Sequence, residues 1–256
     1  MTPFMTGIQD VVDGFKMIRE PKLRIFVVMP LLINIAVFIG TFWVLGHYFS
    51  GWVDSLINWL PDWEWLAVIR WLLWIFFAFL IILLVAYTFV FVATLIGAPF
   101  YGLLAEQVEL KLTGQKVSES APWQSLFMSI PRTVGREIAK LLYYLPRALG
   151  IFILSFIPPI NTAAPFLWAM LSSWSMALEF LDYPADTHKK SIAELKTFMR
   201  EHRARTFGFG LISWLCTLIP LLNLVSMQAS VAGGVKFWLQ AEGRLPAGED
   251  ALRAFR

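Results

Sequence analysis

The run FVVMPLLINIAVFIGTFWVLGHYF, Phe26 to Phe49, holds no Asp, Glu, Lys or Arg. About 20 apolar residues in a helix cross the roughly 30 Å of bilayer hydrocarbon, so this stretch reads as a membrane helix. Signal peptides carry an apolar segment of only about 7–15 residues. The run is longer than that and follows Lys16, Arg19, Lys22 and Arg24, so a retained span is expected rather than a cleaved leader. A second uncharged run extends from Trp71 to Ala105, with its apolar helix expected to reach about Pro99. Such a helix exceeds the hydrocarbon and must tilt or project beyond it.

Composition agrees with a membrane solvent. Hydrophobic residues make up 58% of the 256 and charged ones 15%, whereas soluble domains carry about 25% charged residues. This composition argues strongly against a cytosolic enzyme and excludes a disordered or fibrous chain. Cys216 is the only cysteine, so no intrachain disulfide scaffold exists, and the residue reads as a small buried apolar group. The net charge of +3 provides no electrostatic footprint for nucleic acid.

Two further apolar runs are interrupted. Ala148 to Leu178 contains Pro158, Pro159 and Pro165, and Phe207 to Val235 contains Pro220. Proline removes a helix donor and clashes with the preceding turn, so each run reads as two short halves joined by a turn. Halves of about 12 residues reach only ~18 Å. Two re-entrant hairpins, over 146–180 and 207–238, are therefore expected; kinked full spans are the alternative. The tips read Ile157-Pro158-Pro159-Ile160-Asn161 and Ile219-Pro220-Leu221-Leu222-Asn223, a short internal repeat. Asn161 and Asn223 are either turn residues or polar tips in a pathway.

Charge placement sets an expected orientation. Lys and Arg number four up to Arg24, none from Ser50 to Trp65, six from Glu106 to Arg147, six from Glu179 to Arg205 and four from Lys236 onward. Basic loops stay cytoplasmic. The N-terminus is then inside, the Trp52–Trp65 loop outside, and everything after Pro99 inside. Trp52, Trp59, Trp63, Trp65, Trp71 and Trp74 read as an aromatic belt at the outer interface. The expected fold is all-α: one integral-membrane domain over 1–256, with long helices at 26–49 and 66–101. A charged extramembrane helix over 182–206 carries Ser191 and Glu194 at capping spacing. Thr6 to Gln9 has the same spacing, ahead of an expected apolar face of Ile8, Val11, Val12, Phe15 and Ile18. Arg132, Arg136 and Lys140, four residues apart, read as a solvated or headgroup-facing stripe.

No catalytic constellation is present. His47, His188 and His202 are dispersed without metal-ligand spacing, and neither a phosphate loop nor a nucleophile elbow occurs. No catalytic residue, metal site or cofactor is assigned. One local feature carries chemistry. Pro99 is expected to end the second long helix, with Gly102-Leu103-Leu104-Ala105-Glu106 opening another that closes at Thr113-Gly114. Free amides at a helix start bind anions, and glycine admits close backbone approach. A helix that merely turns along the membrane surface is the plainer reading. Arg24, with Lys22 two residues before it, is the expected side-chain partner. Its guanidinium fork suits tetrahedral oxyanions, although either residue also serves as a membrane anchor.

Further stretches are Pro30-Leu31-Leu32-Ile33-Asn34, Tyr144-Leu145-Pro146-Arg147-Ala148, Asp182-Tyr183-Pro184 with His188-Lys189, and Ile219 to Leu224. With Ala98 to Gln107, they make the chain resemble, over nearly its whole length, the CysZ-type sulfate permeases. These are bacterial inner-membrane proteins of the wider etoposide-induced-2.4-like family. The resemblance implies high-affinity sulfate uptake for cysteine synthesis by a multi-pass inner-membrane protein. It implies a homo-oligomer built on dimers, with a hexamer as one option. It also implies sulfate, or a related oxyanion such as sulfite, held by Gly102, Leu103, Leu104 and Arg24, with Ala105 and Lys22 as secondary members. One departure is Arg24-Ile25, where related sequences often have two adjacent arginines. Asn34, Asn161 and Asn223 are the expected polar residues of a pathway. A channel-like permease is favoured over a non-conducting module that senses sulfate.

Overall fold

The computed structural model describes residues 1–58, 67–115 and 123–246. These form eight α-helices: α1 (Pro3–Met17), α2 (Pro21–Ile57), α3 (Ala67–Thr113), α4 (Trp123–Leu154), α5 (Ala164–Thr187), α6 (Ile192–Glu201), α7 (Arg203–Thr217) and α8 (Pro220–Ala241). A short 3-10 helix, Pro158–Ala163, joins α4 to α5. No strand occurs among the described residues. The chain falls into two compact units, residues 29–98 and residues 1–28 with 99–256.

The first unit comprises α2 from Met29 to its end and the first two-thirds of α3. Val53 and Ala78 are buried between the two helices, and Phe49 meets Trp74 edge-on at 6.3 Å. Ile35, Phe38, Ile39, Phe42 and Trp43 point outward from α2, as do Phe76, Phe79, Ile82 and Leu84 from α3. At ~1.5 Å per residue, the 37 residues of α2 and 47 of α3 exceed the roughly 30 Å of bilayer hydrocarbon. Two stretches, Pro21–Ser55 and Trp71–Thr88, are long and apolar enough to span. α2 continues to Ile57, past the expected start of the Trp52–Trp65 loop. Residues 59–65 of that loop, with Trp59, Trp63 and Trp65, lie outside the described residues.

The second unit packs α1 and α5 onto α7 and α8. Its core includes Val11, Met17, Leu23, Leu104, Val108, Leu178, Leu181, Phe209, Val235 and Phe237. α4 meets α5 across the 3-10 turn, and α7 meets α8 across Leu218-Ile219. The two turns share one geometry. Ile157 and Ile219 are extended, a proline follows, and the amides of Asn161 and Asn223 return to the Ile carbonyls at 3.0 and 2.8 Å. Asn161 thus lies in the 3-10 turn and Asn223 in the first turn of α8. Pro165 interrupts nothing, because it sits in the first turn of α5, where its missing amide hydrogen is not required.

Several expectations need correction. α1 begins at Pro3 under an N-cap from Thr2, not at Thr6. Its inward face holds Gly7, Asp10, Val11, Asp13, Gly14 and Met17, whereas Val12 is exposed. Backbone packing at the glycines and ion pairing at the aspartates outcompete the count of apolar side chains. The charged region 182–206 is three pieces rather than one helix: α5 runs to Thr187, Lys189 takes φ 57°, and α6 ends at Glu201 before α7 starts at Arg203. The reading at Ser191 holds. Its Oγ accepts from the Glu194 amide at 3.2 Å, and the Glu194 carboxylate accepts from the Ser191 amide at 2.8 Å. Ser191→Ala is expected to lower stability by about 1 kcal/mol, measurable as a small drop in the thermal midpoint.

Candidate functional site

Arg24 lies in the first turn of α2. The carbonyl of Glu20 accepts from the amides of Leu23 and Arg24, at 3.0 and 3.1 Å. Arg24 Nε donates to the Arg19 carbonyl at 2.9 Å. That bond fixes the guanidinium and leaves its two Nη groups without a protein acceptor among the described residues. Arg24, Lys22 and Ile25 are all exposed, while Leu23 between them is buried. Leu23 enters the apolar core that also holds Tyr101, Leu104, Ala105 and Val108 of α3.

Gly102 differs from the packed glycines of this unit. A Cβ built on it meets nothing within 4 Å, whereas one on Gly14 or Gly210 would strike a neighbouring carbonyl oxygen at 1.9 Å. The Gly102 backbone is therefore open to approach. The helix break expected after Pro99 is absent. α3 runs through Pro99 and Gly102 to Thr113, and Gly114 caps it with φ 71° and an amide bond to the Leu110 carbonyl. In a continuous helix the amides of Gly102, Leu103, Leu104 and Ala105 serve the carbonyls one turn earlier. Proline withholds one donor and strains its own turn without breaking a helix that tertiary packing supports, and Tyr101, Leu104, Ala105 and Val108 supply that packing. No hydrogen bond or ion pair joins Arg24 to Gly102–Leu104 among the described residues.

The charged groups for which the sequence suggested no partner form three clusters. Arg136 and Lys140 turn inward instead of forming a solvated stripe, while Arg132 stays exposed. Arg132 pairs with Asp186 at 2.6 Å, Arg136 with Asp182, and Lys140 with Glu179 at 2.7 Å. Burial works against the charge on Lys140, yet Glu179, Asp182 and Glu137 hold its ammonium above the ordinary lysine range. The opposite face of α4, with Ile138, Leu141, Leu142 and Leu145, is exposed. A second cluster joins α1 to α7 and α8: Arg205 to Asp10 at 2.7 Å, and Lys236 to Asp10 at 3.2 Å and to Asp13 at 2.7 Å. Burial pushes the Asp10 carboxyl up against the pull of Arg205 and Lys236. It pushes Asp13 the same way, but Lys236, Lys16 and Gln9 outweigh it and hold that carboxyl low. In the third cluster His188 meets Glu109 at 2.9 Å and Arg244 meets the same carboxylate at 2.7 Å. Finally, Glu20 of the α2 start pairs with Lys111 of α3 at 2.5 Å.

Sequence reasoning missed Asp10, Glu20, Glu109, Lys111 and Lys236. One signal was available on α4 and α5: Arg132, Arg136 and Lys140 match Asp186, Asp182 and Glu179 in reverse order, as an antiparallel pair requires. Of the pathway candidates, Asn34 lies in α2 and is half-buried, and Asn161 is exposed. The Asn223 Oδ1 is buried without a hydrogen bond among the described residues.

Apolar side chains turned outward and charges turned inward, on a scaffold all-helical among its described residues and with two stretches long and apolar enough to span, mark a membrane protein. The chain belongs to the sulfate transporter CysZ/etoposide-induced protein 2.4 family, whose model matches residues 10–227. It is 44% identical over 241 residues to a protein of Pseudomonas fluorescens (strain Pf0-1) named sulfate transporter CysZ, covering 94% of this chain and 96% of that one. A protein of the same name from Pectobacterium atrosepticum is 40% identical over 245 residues, covering 94% and 87%.

Proposed function

We propose that the protein is a bacterial inner-membrane sulfate permease that supplies sulfate for cysteine synthesis, with Arg24 as the side-chain anchor of the anion. The observation that carries this reading is the exposed Arg24 guanidinium, oriented through Nε by the Arg19 carbonyl, with neither Nη group given a protein acceptor among the described residues. Its neighbour Leu23 belongs to the same core as Leu104, in a chain with extensive identity to proteins named sulfate transporter. The open backbone at Gly102 supports placing the anion against Gly102, Leu103 and Leu104. Their amides serve the α3 ladder, so sulfate takes them only when α3 opens near Pro99. Arg24 is the part of the site already in place.

We read the α4–α5 and α7–α8 pairs as re-entrant hairpins of a single membrane domain, with Asn34, Asn161 and Asn223 along the route of the ion. Homo-oligomerisation built on dimers accords with the outward apolar faces of α2, α3 and α4. Entry of a dianion against an inside-negative potential costs about 4.6 kcal/mol per 100 mV. A channel-like permease then relies on intracellular consumption or an inward gradient.

The test is binding of labelled sulfate to the purified protein, with flux in proteoliposomes. Arg24→Ala is expected to weaken binding by about tenfold or more, the worth of a charge-assisted hydrogen bond. Equal affinity of variant and wild type removes Arg24 from the site. Binding without flux by the wild type replaces the permease reading with that of a sensor.

A further inference from the structure

We propose that the Glu20–Lys111 ion pair is the positioning element that holds the start of α2, and with it Arg24, in register with the Gly102–Leu104 segment of α3. This inference rests on the sulfate site proposed above and adds to it two residues that do not touch the anion.

Glu20 has two tasks. Its carbonyl accepts from the amides of Leu23 and Arg24 and so closes the first turn of α2. Its carboxylate meets Lys111 Nζ at 2.5 Å, with both side chains about three-quarters buried. Lys111 lies nine residues after Gly102 on the uninterrupted helix α3, so the rise of that helix carries its position to Gly102 without an intervening joint. Leu23, buried between Lys22 and Arg24, belongs to the same apolar core as Leu104 and Val108. One buried apolar side chain and one ion pair thus anchor the turn that presents Arg24. An apolar contact alone allows sliding; the ion pair has direction and sets the register.

The sign of one substitution separates positioning from simple attraction. Glu20 is an anion near a proposed anion site, so a field effect alone predicts that Glu20→Gln strengthens sulfate binding. Positioning predicts the reverse. Expected results with labelled sulfate on the full-length protein are a loss of about fivefold for Glu20→Gln and a similar loss for Lys111→Gln. The reversed pair, Glu20→Lys with Lys111→Glu, is expected to return affinity to within about twofold of wild type. In an Arg24→Ala background, Glu20→Gln should have no further effect. Unchanged or tighter binding by Glu20→Gln overturns the proposal, as does a folded reversed pair that stays weak. Glu20→Gln is isosteric, so its measurement decides the matter even where the reversed pair fails to fold. If Arg24→Ala binds as wild type does, the site reading fails instead, and the two failures are distinguishable.

Discussion

Lys236→Met is expected to be among the most damaging single changes in the protein. The Lys236 side chain is 3% exposed and its ammonium bridges Asp10 and Asp13, which are 0% and 2% exposed. Removing the cation leaves two buried carboxylates with too little positive charge, and breaking such a network by one partner costs about 3–5 kcal/mol. For a chain of this size that corresponds to a fall in thermal midpoint of roughly 10 °C, read by intrinsic tryptophan fluorescence in detergent. Lys236→Met combined with Asp13→Asn should recover much of the loss, because removing both partners leaves fewer groups unpaired. A midpoint within a degree or two of wild type for Lys236→Met would show that the cluster does not hold α1.

Gly14→Ala is the second large effect. A methyl group at Gly14 would sit 1.9 Å from the Ala229 carbonyl oxygen and 2.9 Å from the Gly233 amide nitrogen. Both obstacles are backbone of α8, so no side chain can swing aside and the helices must separate. Overpacking of a tight core costs about 1–3 kcal/mol and more where backbone is displaced, and we expect the upper end or beyond. Gly102→Ala is the matched control: its methyl meets open space, so the midpoint should hold. A Gly14→Ala protein as stable as wild type would mean that α1 does not lie against α8 as described.

How much of the fold and site was legible in the sequence follows from what kind of signal each element leaves. The long helices α2 and α3 were readable because an uncharged run of that length has few alternatives. The turns at Pro158 and Pro220 and the end at Gly114 were readable because proline and glycine act locally. So was the cap at Ser191, which needs only Glu194 three residues on. The failures share a cause. The expected face of α1 and the stripe on α4 were drawn with apolar residues inward and charges outward, the rule for a protein in water. Here Arg136, Lys140 and Asp10 turn inward, while Val12, Leu141 and Leu145 turn outward. Their partners lie 39 to 195 residues away, beyond the reach of any local window. Continuity of α3 across Pro99 was hidden for a related reason: core contacts, not local propensity, decide whether a proline ends a helix.

The union of α1 with the last two helices has a consequence for biogenesis. The Asp10 partner at Arg205 is 195 residues downstream, and the Asp13 partner at Lys236 is 223. As the nascent chain leaves the ribosome, both carboxylates lack these partners until the chain through Lys236 has been translated and inserted. Seating the amino-terminal helix is therefore a late event of assembly, and a polypeptide truncated ahead of Arg205 would leave that helix adrift at the bilayer surface, a ready target for quality-control proteolysis.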